Sequence, residues 1–139
     1  MLILDTDHLT EYQRGTSAEA LRLKERLDRA GEPFGTTIIT VEEVMRGWMA
    51  AIRRSTDPAR QINAYRQLRQ LFRFFASWDV LDWTPTSAAQ FSALKFAKTR
   101  VGTMDLRIAS IALANDATLL SRNIQDFQQV PELNVDWLS

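Results

Sequence analysis

The chain has no cysteine and a single histidine, His8. Without thiols it can build no disulfide framework, no thiolate nucleophile and no cysteine-based zinc site. With one imidazole, a metal site using two histidines of the same chain is excluded as well. Any bound metal must therefore be held by oxygen, which points to Mg²⁺, with Mn²⁺ equally compatible. Lysine is scarce: Lys24, Lys95 and Lys98 stand against 14 arginines. No apolar run approaches a membrane span. The opening stretch Met1 to Leu4 is too short for a signal-peptide core, so the expected setting is the cytoplasm, with no membrane. No internal repeat, low-complexity tract or linker is visible. The 139 residues, 45% of them apolar, suit one domain over 1–139 with a real core.

The net charge of zero hides an asymmetry. Between Val44 and Trp78 lie Arg46, Arg53, Arg54, Arg60, Arg66, Arg69 and Arg73 against one acid, Asp57, so this segment is +6 and the remainder −6. A basic arm on a neutral chain suits contact with phosphate or an acidic partner, and arginine is the better bidentate phosphate donor. The competing explanation is a solvated helix face, which for one such segment alone is favoured.

Apolar patterning gives the element order. Leu2-Ile3-Leu4 reads as a buried strand ending at Asp5. Thr16 to Glu19 forms a capping box and Gly31 a stop, which predicts a helix with Ala20, Leu23, Leu27 and Ala30 inward. Thr37 to Thr40 reads as a second, β-branched strand, and Thr40-Val41-Glu42-Glu43 as a capping box opening a helix to about Ile52. Asp57-Pro58 predicts a helix start, with Leu68, Leu71, Phe72 and Phe75 on one stripe and Arg66, Arg69 and Arg73 on another. Asp79 to Asp82 is a weak third strand. Thr84-Pro85 starts a helix to about Thr99, and Thr103 caps one from Met104 to Asn115. Thr118 to Ser121 is a fourth strand, and a short edge strand is expected near Val135. Alternation of strands and helices predicts an α/β fold with a mainly parallel sheet of 4–5 strands and a protruding helical hairpin.

Such sheets bind ligands at the carboxyl ends of their strands. Asp5 follows the first strand, Glu43 lies a turn past the second, Asp105 opens the helix leading to the fourth, and Asn123 and Asp126 follow that strand. Each has a structural explanation as a helix cap, capping-box partner, dipole-favoured acid or turn residue. Together they require several coincidences at one edge. Two carboxylates about 4 Å apart repel by roughly 4 kcal/mol at an effective dielectric near 20. Three such pairs would cost on the order of 10 kcal/mol, comparable to a small domain's whole stability. Protonation or splaying evades that cost, and a divalent cation removes it. A phosphate-bridging, water-activating cation fits phosphodiester hydrolysis.

Leu4-Asp5-Thr6, Thr40-x-x-Glu43-Val44-x-x-Gly47, Asp105-Leu106-x-Ile108-Ala109 and Ser121-Arg122-Asn123-x-x-Asp126-Phe127 together resemble PIN-domain nucleases. Within that family the resemblance is closest to the VapC-like toxins of type II toxin–antitoxin systems. It implies a three-layer α/β/α PIN-like fold, a Mg²⁺-dependent endoribonuclease acting on RNA, a cognate antitoxin that blocks the site and, often, a homodimer. Asp5, Glu43 and Asp105 match the family's most regular acids, with Asp5 and Asp105 as main metal ligands and Glu43 binding metal or positioning water. The family's fourth acid often stands where this chain has Asn123, so either Asn123 or Asp126 completes the site. Thr6 and Ser121 are candidate supports, with turn packing as their alternative. Arg46, Arg66, Arg69 and Arg73 are candidate contacts for RNA, antitoxin or a second copy. Asp7 reads as a cap and His8 as a structural or exposed residue. Trp48, Trp78 and Trp83 read as core or interface rather than base-stacking platforms.

Two rivals remain at this point. Asp5-Thr6-Asp7 after a strand mimics the D-x-D nucleophile of haloacid-dehalogenase-type phosphatases, although the late acidic pair of that class is missing. A PIN-like module that grips RNA or protein without cutting is the other, and Asn123 is the feature that favours it.

Overall fold

The computed structural model describes residues 1–97 and 100–136. Five strands form one wholly parallel sheet: β1 (Leu2–Leu4), β2 (Phe34–Thr37), β3 (Val80–Leu81), β4 (Thr118–Leu120) and β5 (Asn134–Asp136). Their spatial order is β3-β2-β1-β4-β5. The helices are α1 (Thr6–Arg14), α2 (Ala18–Ala30), α3 (Ile38–Arg53), α4 (Ile62–Ala76), α5 (Pro85–Phe96), α6 (Thr103–Ala114) and α7 (Ile124–Phe127). From β1 the chain winds outward through β2 and β3. It then crosses back to β4 and continues the other way to β5. Parallel strands direct alternate side chains to opposite faces. Ile3 and Leu119 join a core with Ile39, Leu106, Ile108, Ile111 and Phe127. Leu2, Leu4 and Leu120 face the other side, against Leu9, Leu23 and Leu27. The sheet is thus sandwiched between helices, giving the expected three-layer α/β/α arrangement. Each fully buried Leu or Ile contributes about 1.5–3 kcal/mol relative to exposure.

Several helix boundaries follow the local chemistry. The cap of α2 is Ser17, one residue past the Thr16 of the expected box: its Oγ accepts the Ala20 N–H at 3.0 Å, and Gly31 closes the helix as expected, in the left-handed region at φ 62°. Thr84 caps α5 by accepting the Ser87 N–H at 3.1 Å. The expected end of that helix near Thr99 lies outside the described residues. α3 and α4 pack against each other as a helical hairpin, and Gln61 Nε2 ties its turn by donating to Ile52 O and Ser55 O at 3.0 and 2.8 Å.

Four local expectations are corrected. The second strand is Phe34–Thr37 rather than Thr37 to Thr40, and the two isoleucines open α3. Thr37, not Thr40, is the cap: its Oγ1 accepts the Thr40 N–H at 3.1 Å. Burial of Ile39, Thr40 and Val41 outweighs their β-branched preference. The strand itself was hidden by Gly35, which it requires, because a Cβ there would lie 2.2 Å from the Asp79 carbonyl oxygen. Asp57-Pro58 marks a turn, with Asp57 Oδ1 accepting the Ala59 N–H at 3.0 Å, and α4 starts only at Ile62. The N-cap of α6 is Gly102, not Thr103, and it makes no side-chain capping bond. The short helix α7 had no counterpart in the pattern, since four residues are too few for a periodic signal.

Candidate metal centre

The chain reverses its winding direction between β1 and β4, which are hydrogen-bonded neighbours. The crevice outside their carboxyl ends is where open α/β sheets hold ligands. Asp5 stands there as the residue after β1, 6% exposed, with its N–H donating to Leu120 O at 3.2 Å. Its Oδ1 caps α1 by accepting the His8 N–H at 2.9 Å. The structural explanation of Asp5 as a cap therefore holds, and it leaves the second carboxylate oxygen for other partners. The cap is Asp5 and not Asp7, which lies exposed in the first turn of α1.

Glu43 reaches the same crevice from the second turn of α3. Because α3 starts at Ile38, Glu43 is too far into the helix to close a capping box. Instead its Oε1 accepts the Thr6 hydroxyl at 2.9 Å. Thr6 is thus the residue that aligns Glu43. Asp105 enters from the first turn of α6, where an acid suits the helix dipole.

Electrostatics ties these acids together. Burial raises the Glu43 carboxyl above its ordinary range, the Thr6 hydrogen bond opposes this, and the charges of Asp105, Asp5 and Asp7 raise it further. Burial likewise raises Asp105, with the charges of Asp5, Asp126 and Asp7 adding to it and a hydrogen bond from Asn123 opposing. The charges of Asp5 and Asp105 thus act on Glu43, and that of Asp5 on Asp105. Asp7, read from sequence only as a cap, is an electrostatic member of the group. Among the described residues no lysine or arginine pairs with Asp5, Glu43, Asp105 or Asp126.

Asn123 and Asp126 both lie beside Asp105. Asn123 Nδ2 donates to Asp126 Oδ2 at 2.9 Å and to Asp105 Oδ2 at 3.4 Å. At this position the chain presents an N–H₂ bridge between two acids. Ser121 is fully buried, and its Oγ accepts the Asn123 N–H at 2.9 Å, so it shapes the turn rather than facing the crevice. His8 is buried at 2% exposure. Its Nδ1 lies 3.4 Å from Asp5 Oδ1, but that oxygen already accepts the His8 backbone N–H. Both ring nitrogens lack a hydrogen-bond partner among the described residues.

The donor set consists of carboxylates and an amide, all hard oxygen ligands, with charge that no neighbouring cation offsets. That set fits Mg²⁺ or Mn²⁺. Among the described residues no three acidic or histidine side chains stand close enough to share one ion as they are placed. Mutually repelling carboxylates without a counter-charge favour splayed side chains.

The arginines expected to make contacts lie elsewhere. Arg46 on α3 is exposed and pairs with Glu42 at 2.6 Å. Arg66, Arg69 and Arg73 are exposed on α4. Phe72 of the expected apolar stripe is 65% exposed, whereas Leu71 is buried. Trp78 is half-buried and packs against Tyr12, Phe34 and Phe74, whereas Trp83 is exposed and touches Phe91. No described helix is long and apolar enough to cross a membrane.

Comparison with known proteins gives a consistent picture. A family model described as "PIN domain" matches residues 2–133. No curated protein sequence matches significantly. Among solved structures, a chain of VapBC from Salmonella typhimurium, solved with DNA bound, is similar at 20% identity and a TM-score of 0.73, covering 98% of this chain and 96% of that one. A chain of VapBC2 from Rickettsia felis, bound to a DNA fragment from its promoter, gives 20% identity and 0.72, covering 99% and 98%. A chain of a toxin–antitoxin complex from Klebsiella pneumoniae gives 20% and 0.67, covering 100% and 97%.

Proposed function

The chain belongs to the PIN-domain family, and from that premise we propose that it is a divalent-metal-dependent endoribonuclease, the toxin of a toxin–antitoxin pair. The observation that carries the proposal is that acids from other elements raise the carboxyls of both Glu43 and Asp105, with no lysine or arginine paired to either among the described residues. Family membership sets aside the phosphatase alternative.

When bound, Mg²⁺ or Mn²⁺ would neutralise the carboxylates, lower the pKa of a bound water and steady charge on the phosphate. Asp5 and Asp105 would hold it. Asp5 is fixed by its cap, and Asp105 is steadied by Asn123. Glu43, aligned by Thr6, would orient the attacking water and take up its proton. Its raised proton affinity suits that task better than an ordinary carboxylate would. Asp126 would add charge at the rim, and the Asn123 amide would keep it in reach of Asp105.

The expected setting is the cytoplasm, with RNA as substrate and a homodimer as the working form. A cognate antitoxin is the expected partner, because a toxin–antitoxin complex is among the similar structures. Arg46, Arg66, Arg69 and Arg73 on the hairpin are the candidate contacts for that partner. A second reading, a PIN module that binds without cutting, is favoured by one observation: Asn123 turns an N–H₂ group, not a ligating oxygen, toward Asp105.

Incubation of the purified chain with RNA in Mg²⁺ and then in chelator separates the two. The nuclease reading expects metal-dependent cleavage that disappears in Asp5→Asn. Tight RNA binding without cleavage in any divalent metal would give the chain to the second reading.

A further inference from the structure

A groove of about 690 Å³ opens beside the carboxylates. Thr6, which holds Glu43, is part of its wall, so groove and acids are continuous. α1 lines one side from Thr6 to Arg14, about 12 Å at 1.5 Å per residue. α3 lines the floor from Val44 through Gly47 to Arg54, beginning one residue after Glu43 and running about 15 Å. Gln67 of α4 and Trp48 complete the wall. The lining includes two arginines and no acid. Arg14 is 71% exposed and only loosely held, 3.9 Å from Glu11. Arg54 forms no ion pair among the described residues. A Cβ added to Gly47 would meet nothing within 4 Å, so the floor is open to whatever lies above it.

We propose that this groove seats the single-stranded RNA flanking the scissile phosphate, an inference that rests on the nuclease reading. A strand whose phosphate reaches the acids must leave along a path that does not repel it. Here the path leads from negative carboxylates to two guanidiniums, Arg54 without an ion pair among the described residues and Arg14 held only at 3.9 Å by Glu11. Arginines at the far end suit backbone phosphates. The indole of Trp48 and the amide of Gln67 suit the face and edge of an unpaired base. The charge complementarity is to a polyanion.

The test measures binding and cutting separately. A short fluorescent single-stranded RNA of mixed sequence is titrated in chelator against the full chain, and anisotropy is read at several salt concentrations. Arg14→Gln with Arg54→Gln weakens binding about ten-fold, and each substitution flattens the slope of log K against log salt by about 0.7. Arg29→Gln on α2, outside the groove, leaves both unchanged. Gly47→Ala binds as the parent does. Gly47→Leu, which projects bulk over the floor, lowers affinity and raises KM with kcat little changed. If groove variants bind RNA like the parent while cleavage persists with an unchanged KM, the groove proposal is overturned and the nuclease reading survives. If the variants lose RNA binding but no form cleaves RNA, the nuclease reading fails and the groove stands. Loss of antitoxin binding with RNA affinity intact would assign the groove to the protein partner and overturn the proposal.

Discussion

The carboxyl edge of the sheet and the α3–α4 hairpin carry opposite charge in opposite geometries. At the edge, Asp5, Glu43, Asp105 and Asp126 come from four separate elements, buried or half-buried, with no lysine or arginine paired to them among the described residues. On the hairpin, Arg46, Arg53, Arg66, Arg69 and Arg73 are spread over exposed helical faces. The first arrangement costs stability and persists only if something repays it. The second costs almost nothing, because water screens exposed charges. Charge alone therefore does not mark a site. Like charges gathered where water is scarce do.

The comparison is broken most directly by Asp105→Asn. RNA cleavage is expected to fall at least about 100-fold, as for loss of a principal electrostatic group. The same variant is expected to melt at a higher temperature than the parent in chelator, because a half-buried repelling charge is gone. Parallel cleavage assays and melting curves check both signs, and a lower melting temperature would count against repulsion at the site.

Asn123→Asp sharpens the same contrast in the other direction. It replaces the N–H₂ bridge by another carboxylate beside Asp105 and Asp126. The expected outcome is a lower melting temperature in chelator and Mn²⁺ affinity raised about ten-fold, the scale of changes to groups supporting a metal site. Calorimetry with Mn²⁺ reads the second effect.

The pH dependence follows from Glu43 and Asp105. Both carboxyls bind protons more tightly folded than unfolded. Their contribution is therefore fully present below the ordinary carboxylate range, about pH 4, and is lost as pH rises through the raised folded values. Stabilisation by Mg²⁺ should accordingly be small near pH 4 and grow toward pH 7. Urea denaturation with and without Mg²⁺ across that range measures it, and equal stabilisation at both ends would contradict the assignment.

The smallest effect belongs to the hairpin. Arg66→Gln, Arg69→Gln and Arg73→Gln should each change stability by less than about 0.5 kcal/mol, as expected of exposed side chains. Their combined loss is expected to show in antitoxin binding, not in urea denaturation.

Much of this was legible in the sequence, for reasons that differ between elements. β1 and β4 announce themselves as short apolar runs and β3 and β5 only faintly, while α5 is marked by its Thr84 cap and α2 by its Gly31 stop. The first run was enough to put Asp5 at the carboxyl edge, whereas Glu43 and Asp105 were reached through the helices expected after the second strand and before the fourth. The β2–α3 boundary was not legible, because local β preference pointed one way and burial decided the other. Asp7 reads locally as a cap, and only the fold reveals its charge acting on Glu43 and Asp105. The Asn123 bridge depends on α7, too short to leave a period. The groove was out of reach altogether, since its walls come from three helices separated along the chain.

Calorimetric titration of Mn²⁺ into the metal-free chain at neutral pH tests the central claim most directly. The account predicts saturable binding by the wild-type chain, markedly weakened by either Asp105→Asn or Glu43→Gln while both variants stay folded. Binding that is absent in the wild type, or undiminished in both variants, would show that these acids do not form a single cation site.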